Sequence, residues 1–159
     1  MQHEIHLTDD FKHTQTRAYR VPELLKSEIE KKQISKLLEL DFIEERDSPM
    51  TSGVVCVTKP DKSFRLCCDY RHLNKYTTAD STPMKLLSEC VYEVAQAKFI
   101  SICDAKSGFW QLLVRPDDRW KCAFVTQQGV WTWKRMPFGL RNAPATSVKA
   151  MRKVLFPIS

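Results

Sequence analysis

The sequence predicts an α+β fold in which helices flank an antiparallel sheet. Two pairs of short apolar runs, each joined by turn residues, predict β-hairpins at 54–70 and 122–134. Apolar residues at helical spacing predict helices near the start, middle and end of the chain. Because hairpins and helices follow one another without regular strand–helix alternation, the sheet is expected to be antiparallel.

The first predicted element is a helix between Pro22 and Asp41. Proline suits a first helical turn, and Asp47-Ser48-Pro49 breaks the pattern beyond the helix. The apolar positions recur at about one helical turn: Leu25, Ile29, Ile34, Leu37 and Leu38. These positions predict that one face of the helix covers the core.

The first hairpin is predicted to join a strand at 54–57 to a returning strand at 64–70 through a turn at 60–63. Asp69 and Arg71 lie two residues apart on one face of the returning strand. Side chains at this spacing point to the same side, so the two are expected to pair in a structural role.

The second half begins with Thr82-Pro83, which has the form of an N-cap followed by proline and predicts a helix at 84–97. A strand at 99–103 is predicted to end at Asp104. The remaining predicted elements are a turn at 106–108, the apolar run at 109–114, the second hairpin with its turn at 127–129, the loop at 137–139 and a last helix at 142–155.

The chain carries a formal net charge of +6 and a pI near 9.0, which permits binding to a polyanion. Its six cysteines lack the C-x-x-C spacing of a zinc site, and we expect reduced, mostly buried thiols. Polar residues follow Met1, and no apolar run nears the ~18 residues that span a bilayer. We therefore expect an intracellular protein, cytoplasmic or nuclear, without a membrane partner.

Four segments of the sequence resemble the motifs of a known protein family. Residues 99–113 read F-I-S-I-C-D-A-K-S-G-F-W-Q-L-L, and residues 136–146 read M-P-F-G-L-R-N-A-P-A-T. Residues 118–126 read D-R-W-K-C-A-F-V-T, and residues 48–74 read S-P-M-T-S-G-V-V-C-V-T-K-P-D-K-S-F-R-L-C-C-D-Y-R-H-L-N. In this order they resemble the polymerase motifs of Ty3/gypsy-type retrotransposon reverse transcriptases.

The resemblance implies a reverse-transcriptase-like fingers and palm fold. It divides the chain into an N-terminal extension at 1–20, fingers and the entry to the palm at 21–98, and a partial palm at 99–159. It implies a part of an RNA-directed DNA polymerase, which transfers nucleotides by two-metal chemistry.

Asp104 matches the first catalytic carboxylate of this family. The resemblance implies that Asp104 and the backbone carbonyl of Ala105 bind Mg²⁺, a cation that prefers oxygen ligands. Without the resemblance, Asp104 reads as a strand-end residue that accepts backbone N–H groups. Phe109 matches the family's steric gate, whose ring crowds a ribose 2′-OH; the alternative is an ordinary core aromatic.

Further residues match the family's nucleotide site. Lys59 and Arg65 match residues that hold nucleotide phosphates, although each is otherwise an ordinary surface charge. Phe138 and Gly139 match a loop beneath the nucleotide and template base. Pro137, Asn142 and Pro144 would shape that loop and the following helix; the alternative is a plain loop before a helix. For Trp131 and Trp133, core packing is expected rather than base stacking.

The sequence also departs from the family. The other two metal-binding Asp residues belong to an aromatic-x-Asp-Asp turn, which does not occur up to Ser159. Asp117-Asp118 aligns with an acidic hairpin tip and is no substitute. The resemblance therefore implies truncation before the second half of the palm, an exposed sheet edge, and no polymerase activity from this chain alone.

Three hypotheses follow. The chain is a fragment of a longer polyprotein that carries the remaining polymerase, ribonuclease H and integrase regions, and it acts on an RNA/DNA template-primer and a dNTP. Alternatively, it is a domesticated, non-catalytic remnant that binds RNA or a protein. A third hypothesis is a subunit that another chain completes. RNA affinity that falls steeply with salt is expected for the second.

Overall fold

The structure of the chain, a computed structural model, describes residues 1–19, 33–58, 64–83 and 85–155. Helices α1 to α4 are Ser35–Glu39, Arg71–Tyr76, Leu87–Ala95 and Ala143–Leu155. Strands β1 to β7 are Gln2–His3, Ile43–Glu45, Val54–Thr58, Phe64–Cys68, Leu113–Val114, Phe124–Val125 and Val130–Trp133. Two 3₁₀ helices, Gly108–Gln111 and Pro116–Cys122, flank β5. Within this described part, every helix is too short or too polar to cross a bilayer.

The largest sheet is antiparallel and has the strand order β2–β7–β6. β6 and β7 form the predicted second hairpin, and the three-residue strand β2 pairs with the other edge of β7. β3 and β4 form the predicted first hairpin, in register from the pair Val54–Cys68 to the pair Thr58–Phe64. The prediction of an α+β fold with antiparallel pairing is confirmed. The sequence did not predict β1 and β5, which form a short parallel pair.

The core is built around β7, in which Trp131, Thr132 and Trp133 are all buried. Because successive residues of a strand point to opposite sides, both faces of β7 are covered. The Trp133 ring lies 5.6 Å from Phe124 and 6.1 Å from Trp110, measured between ring centroids. The prediction that the two β7 tryptophans pack in the core is therefore confirmed.

The cysteines follow the expected burial in part. Cys122 is buried, and burial raises the pKa of the Cys122 and Cys68 thiols to about 12. Cys67 and Cys90 are partly buried, whereas Cys103 is exposed because it belongs to a segment that packs against little else. The Cys68 and Cys122 thiols are therefore protonated at neutral pH.

The first residues of the chain are held by several different elements. His3 and Ile5 are buried, and the Arg115 amide donates to the His3 carbonyl at 2.9 Å. Farther along, the Thr78 amide donates to the His6 carbonyl at 2.8 Å. Each of these residues is therefore bound by a different part of the chain, and this explains why the segment shows no helical or strand periodicity.

Asp118 is the buried charge that anchors this N-terminal segment. Its carboxylate accepts a hydrogen bond from the Ile5 amide at 3.0 Å and lies 2.5 Å from Lys121 Nζ and 3.1 Å from Arg115 Nε. Burial by itself would raise the pKa of Asp118, but the hydrogen bonds from Lys121 and Ile5 and the two positive charges hold it below its ordinary value. The expectation of an acidic hairpin tip is wrong for Asp118, because the 3₁₀ helix Pro116–Cys122 turns this side chain inward.

His3 connects the N-terminal segment to α4. Its Nδ1 lies 2.8 Å from Thr146 Oγ1, and that hydroxyl donates to the Asn142 carbonyl at 3.1 Å. With the hydroxyl proton directed at this carbonyl, we assign Nδ1 of His3 as the donor to Thr146 Oγ1. Burial lowers the pKa of His3 to about 4, against the opposing charges of Asp118, Asp80 and Glu4.

We expect His3 to make folding sensitive to mild acid. Between pH 6.5 and 4 the unfolded chain binds a proton that the folded chain does not, so the free energy of unfolding falls as the pH falls. The expected loss is about 3 kcal/mol over this window. Urea unfolding at pH 7, 5.5 and 4 measures it, with His3→Gln as the control that removes the titrating ring. A pH dependence that is the same in both proteins would contradict the assignment. Asp80, with a pKa near 2, titrates below this window.

The helix predicted at 84–97 is present but shorter. α3 begins at Leu87, and the Leu86 amide before it donates to Glu89 Oε2 at 3.3 Å. The prediction that Thr82-Pro83 starts the helix is wrong, because the Thr82 amide and hydroxyl both donate to Asp80 Oδ1 instead. Thr82 therefore completes an Asx turn and leaves the helix to start after the following residues.

The strand predicted at 99–103 is absent. Residues 100–105 form neither helix nor strand, and Phe99 and Ile102 are 94% and 92% exposed. An isolated strand leaves its backbone N–H and C=O groups unpaired, and none of the described strands pairs with this segment. The apolar sequence favours a strand, but the described residues offer no neighbouring strand.

Candidate functional site

The 137–139 loop joins β7 to α4 and exposes two of its residues. Pro137 is buried, whereas Phe138 and Gly139 are exposed. Gly139 has a φ of +93°, a backbone conformation that disfavours side chains, and a Cβ there would lie 3.5 Å from the Tyr70 ring. Glycine therefore lets the loop reverse close to the end of β4.

Asn74 of α2 holds this loop with both ends of its amide. Its Nδ2 donates to the Gly139 carbonyl at 2.8 Å, and its Oδ1 accepts from the Arg141 amide at 2.8 Å. The Arg141 guanidinium also donates to the Thr77 carbonyl at 3.1 Å. α2 thus fixes the position of the loop backbone through Asn74, which was not among the predicted site residues.

Asn142 makes a second clamp on the other side of the loop. Its Nδ2 donates to the Thr78 carbonyl at 2.7 Å, and its Oδ1 accepts from the Asp80 amide at 3.1 Å. Pro144 is exposed in the first turn of α4, where the missing N–H costs no helical hydrogen bond. The structure therefore places Pro137, Asn142 and Pro144 around the loop and the helix start.

Phe109 contacts the 137–139 loop through the ring of Phe138. It lies on the 3₁₀ helix Gly108–Gln111, and its ring centroid is 5.3 Å from that of Phe138, at an interplanar angle of 39°. Trp110 contacts Phe138 edge to face at 5.6 Å and stacks on Trp133. Two motifs nearly thirty residues apart in sequence thus meet through aromatic side chains.

Asp104 and Ala105 lie in the exposed segment just before that 3₁₀ helix. The Cβ of Ala105 is 3.5 Å from the position that a Cβ on Gly108 would occupy, so the segment approaches the turn before Phe109 closely. The prediction that Asp104 terminates a strand is wrong, because residues 99–103 pair with none of the strands that the structure describes.

The described carboxylates do not form a two-metal site. In the part of the chain that the structure describes, no three His, Cys, Asp or Glu side chains converge in a way that could hold a metal ion. Asp104 supplies one carboxylate, whereas Mg²⁺ surrenders its water only reluctantly and needs several oxygen ligands. These residues therefore do not by themselves fit the pair of ions that the resemblance implies.

The predicted phosphate ligands lie on the first hairpin. Lys59 falls outside the described residues. Arg65 belongs to β4, where its backbone pairs with that of Val57.

The predicted Asp69–Arg71 pair is confirmed. Arg71 Nε and Nη2 donate to the two Asp69 oxygens at 2.8 and 2.6 Å, and this fork holds the pKa of Asp69 below its ordinary value. The pair spans the end of β4 and the start of α2, and not one strand face as the sequence suggested. Between the two, Tyr70 is buried and donates to the Cys122 carbonyl at 3.0 Å.

Asn74, Arg141 and Tyr70 were not predicted as site residues. The first two act by fixing backbone, and their contacts join segments more than sixty residues apart. A local signal was present in Asn74, because it closes the string D-Y-R-H-L-N that belongs to the matched motif. Its partner in the loop became visible only in three dimensions.

Comparison with known proteins agrees with this geometry. The family model described as "Reverse transcriptase (RNA-dependent DNA polymerase)" matches residues 57–159. The chain is 35% identical over 131 residues to the retrovirus-related Pol polyprotein from transposon 297 of Drosophila melanogaster, covering 79% of this chain and 12% of that protein. It is 36% identical over 131 residues to the genome polyprotein of Petunia vein clearing virus (isolate Shepherd), covering 80% of this chain and 6% of that protein.

Solved structures give the same result. The crystal structure of prototype foamy virus protease-reverse transcriptase superimposes with a TM-score of 0.86 at 26% identity, over 99% of this chain and 21% of that one. The foamy viral protease-reverse transcriptase in complex with dsDNA superimposes with a TM-score of 0.76 at 25% identity, over 98% of this chain and 30% of that one. The chain thus spans a small part of the relatives it matches. From its motifs, its fold and these matches, it belongs to the reverse transcriptase family.

Proposed function

We propose that the chain is the fingers and first palm portion of a Ty3/gypsy-type retroelement RNA-directed DNA polymerase. The observation that carries the proposal is the meeting of the two strongest motifs: Phe109 from the first contacts Phe138 from the second at 5.3 Å. Asp104 lies shortly before the 3₁₀ helix that carries Phe109. The residues proposed as a metal ligand and a sugar-facing ring are thus close in the chain, and the ring contacts the loop proposed to lie beneath the nucleotide.

In this proposal each group has a separate task. Phe109 crowds the ribose 2′-OH and so favours a deoxynucleotide. Phe138 and Gly139 form the floor beneath the nucleotide and the template base. Lys59 and Arg65 bind phosphate oxygens, for which the guanidinium fork of arginine is suited.

Asp104 and the backbone carbonyl of Ala105 are proposed as two of the ligands of Mg²⁺. Bound magnesium ions stabilise the charge on the attacking and leaving oxygens of a nucleotidyl transfer. The described residues supply too few carboxylates to hold such ions, so we expect the isolated chain to be inactive. Catalysis requires further carboxylates in addition to Asp104.

The proposed partners are a template-primer duplex and an incoming dNTP. The foamy viral relative has been solved with dsDNA bound, and its fold matches almost the whole of this chain. The net charge of +6 is compatible with a polyanionic partner.

A chimera tests the proposal. The part of this chain that matches the Pol polyprotein of transposon 297 replaces the corresponding region of that protein. Primer extension on an RNA template is then measured with dNTPs and Mg²⁺. We expect template-dependent synthesis from the chimera and none from the isolated chain. The parent polyprotein is the positive control. A soluble, folded chimera without synthesis would contradict the proposal, and salt-sensitive RNA binding that remained would then favour a non-catalytic binding module.

A further inference from the structure

We propose that Phe138 is a positioning residue that holds the Phe109 ring, so that the two rings form one wall against the sugar of a bound nucleotide. This inference rests on the proposed function and goes beyond it, because it assigns sugar selectivity to a pair of rings rather than to Phe109 alone.

The backbone on both sides of Phe138 is held in place. Phe138 follows Pro137, which is buried, and precedes Gly139, whose carbonyl is held by Asn74. On the other side of the loop, the Met136 amide donates to the Leu112 carbonyl at 2.8 Å. The backbone around Phe138 is therefore fixed at both ends.

The Phe138 ring packs on a cluster of other aromatic rings. Trp110 contacts it edge to face at 5.6 Å. Trp110 in turn lies between Trp133, at 6.1 Å, and Phe42, at 5.4 Å. Trp133 is buried, so Phe138 is the outermost ring of a cluster that reaches into the core.

The Phe109 ring has much less support on its N-terminal side. It is carried by a four-residue 3₁₀ helix that begins after Ser107, a non-glycine residue with φ of +52°. The preceding residues 91–107 are all exposed. Packing against Phe138 therefore connects the segment that bears Asp104 and Phe109 to the rigid part of the molecule.

Both rings remain partly accessible. Phe138 is 43% exposed and Phe109 is half-buried, so the pair presents an apolar edge to solvent. A ring that discriminates a hydroxyl by crowding works only if it cannot move aside. Removal of the Phe138 ring leaves Phe109 room to retreat, and a ribose 2′-OH then fits.

Nucleotide binding to the full 159-residue chain tests this inference. Dissociation constants for dATP and ATP are measured by saturation-transfer NMR in metal-free buffer, a method that detects weak binding. We expect the unsubstituted chain to prefer dATP. Phe138→Leu should reduce that preference by about fivefold, since the contact between two aromatic rings is worth a factor of this order.

Two control variants separate positioning from general packing. Phe138→Tyr keeps the ring and should keep the preference. Phe42→Leu makes the same kind of change on the far side of Trp110, where Phe42 contacts Trp110, and should leave the preference unchanged. Thermal unfolding of each variant confirms that it remains folded.

The outcomes distinguish the two proposals. If neither nucleotide binds the unsubstituted chain, or both bind it equally, the inference is overturned, whereas the proposed function is decided separately by primer extension with the chimera. If both bind but Phe138→Leu leaves the preference for dATP intact, or Phe42→Leu removes it equally, the inference alone is overturned.

Discussion

Asp118→Ala is expected to lower the free energy of unfolding by about 3 to 5 kcal/mol, the usual cost of removing one partner of a buried ion pair. The substitution leaves the Lys121 ammonium, 14% exposed, without its counter-charge, and it removes the acceptor of the Ile5 amide. Two costs therefore add: an uncompensated charge and an unsatisfied backbone donor. In a domain of this size the thermal midpoint should fall by about 10 °C.

Asp117→Ala provides the matched control. Asp117 is the adjacent acidic residue on the same 3₁₀ helix, but it is exposed. Its removal should change the free energy of unfolding by less than about 0.5 kcal/mol. Urea unfolding at neutral pH measures both variants, and equal effects would show that the buried network does not anchor the N-terminal segment.

Proteolysis of Asp118→Ala locates the effect. Asp118→Ala removes the acceptor of the Ile5 amide and the counter-charge of Lys121, whose Nζ donates to the Ile5 carbonyl at 2.7 Å. These losses should free the first residues before the rest. We expect early cleavage among residues 1–19 under native conditions, since cleavage follows local opening. Cleavage that begins elsewhere would contradict this order.

The sequence predicted those elements whose partners lie nearby in the chain. Both hairpins are defined by apolar runs around turn residues, and both formed at the expected positions. The last helix formed one residue from its predicted start, because Pro144 and the apolar spacing act locally. The Asp69–Arg71 fork was also predictable, as two residues of opposite charge at short range require little else.

The remaining features depend on distant contacts. Asp118 looked like a surface acid in an acidic dipeptide, and only the arrival of Ile5, more than a hundred residues away, explains its burial. The prediction of a strand at 99–103 was wrong for a related reason. Residues with high β-propensity form a strand only where another strand pairs with them. Asn74 and Asn142 gave no periodic signal, because their role is to bind backbone carbonyls and amides of other segments.

The candidate site shows the same difference between features with local signals and features that depend on distant contacts. Residues recognised by motif, such as Phe109 and Phe138, are in contact. The loop that carries Phe138 is positioned by Asn74 and Arg141, which the motifs did not indicate as site residues. The sequence motifs therefore identified the two rings that meet, whereas the groups that fix the loop became visible only in the fold.

Asp104→Asn is expected to abolish primer extension by the chimera with transposon 297 while leaving its stability unchanged. The side chain is exposed, so its replacement by an amide of the same shape should alter the free energy of unfolding by less than about 0.5 kcal/mol. An amide lacks the negative charge that holds Mg²⁺. Synthesis should fall by at least about 100-fold, since changes even to groups behind a metal ligand reach that size.

Asp117→Asn makes the same change at another exposed acid and should leave synthesis intact. Primer extension by Asp104→Asn at the rate of the Asp117→Asn control would contradict the assignment of Asp104 as a metal ligand. A loss of synthesis in both variants would point instead to a general effect of surface charge on duplex binding, which added salt would mimic in the unsubstituted chimera.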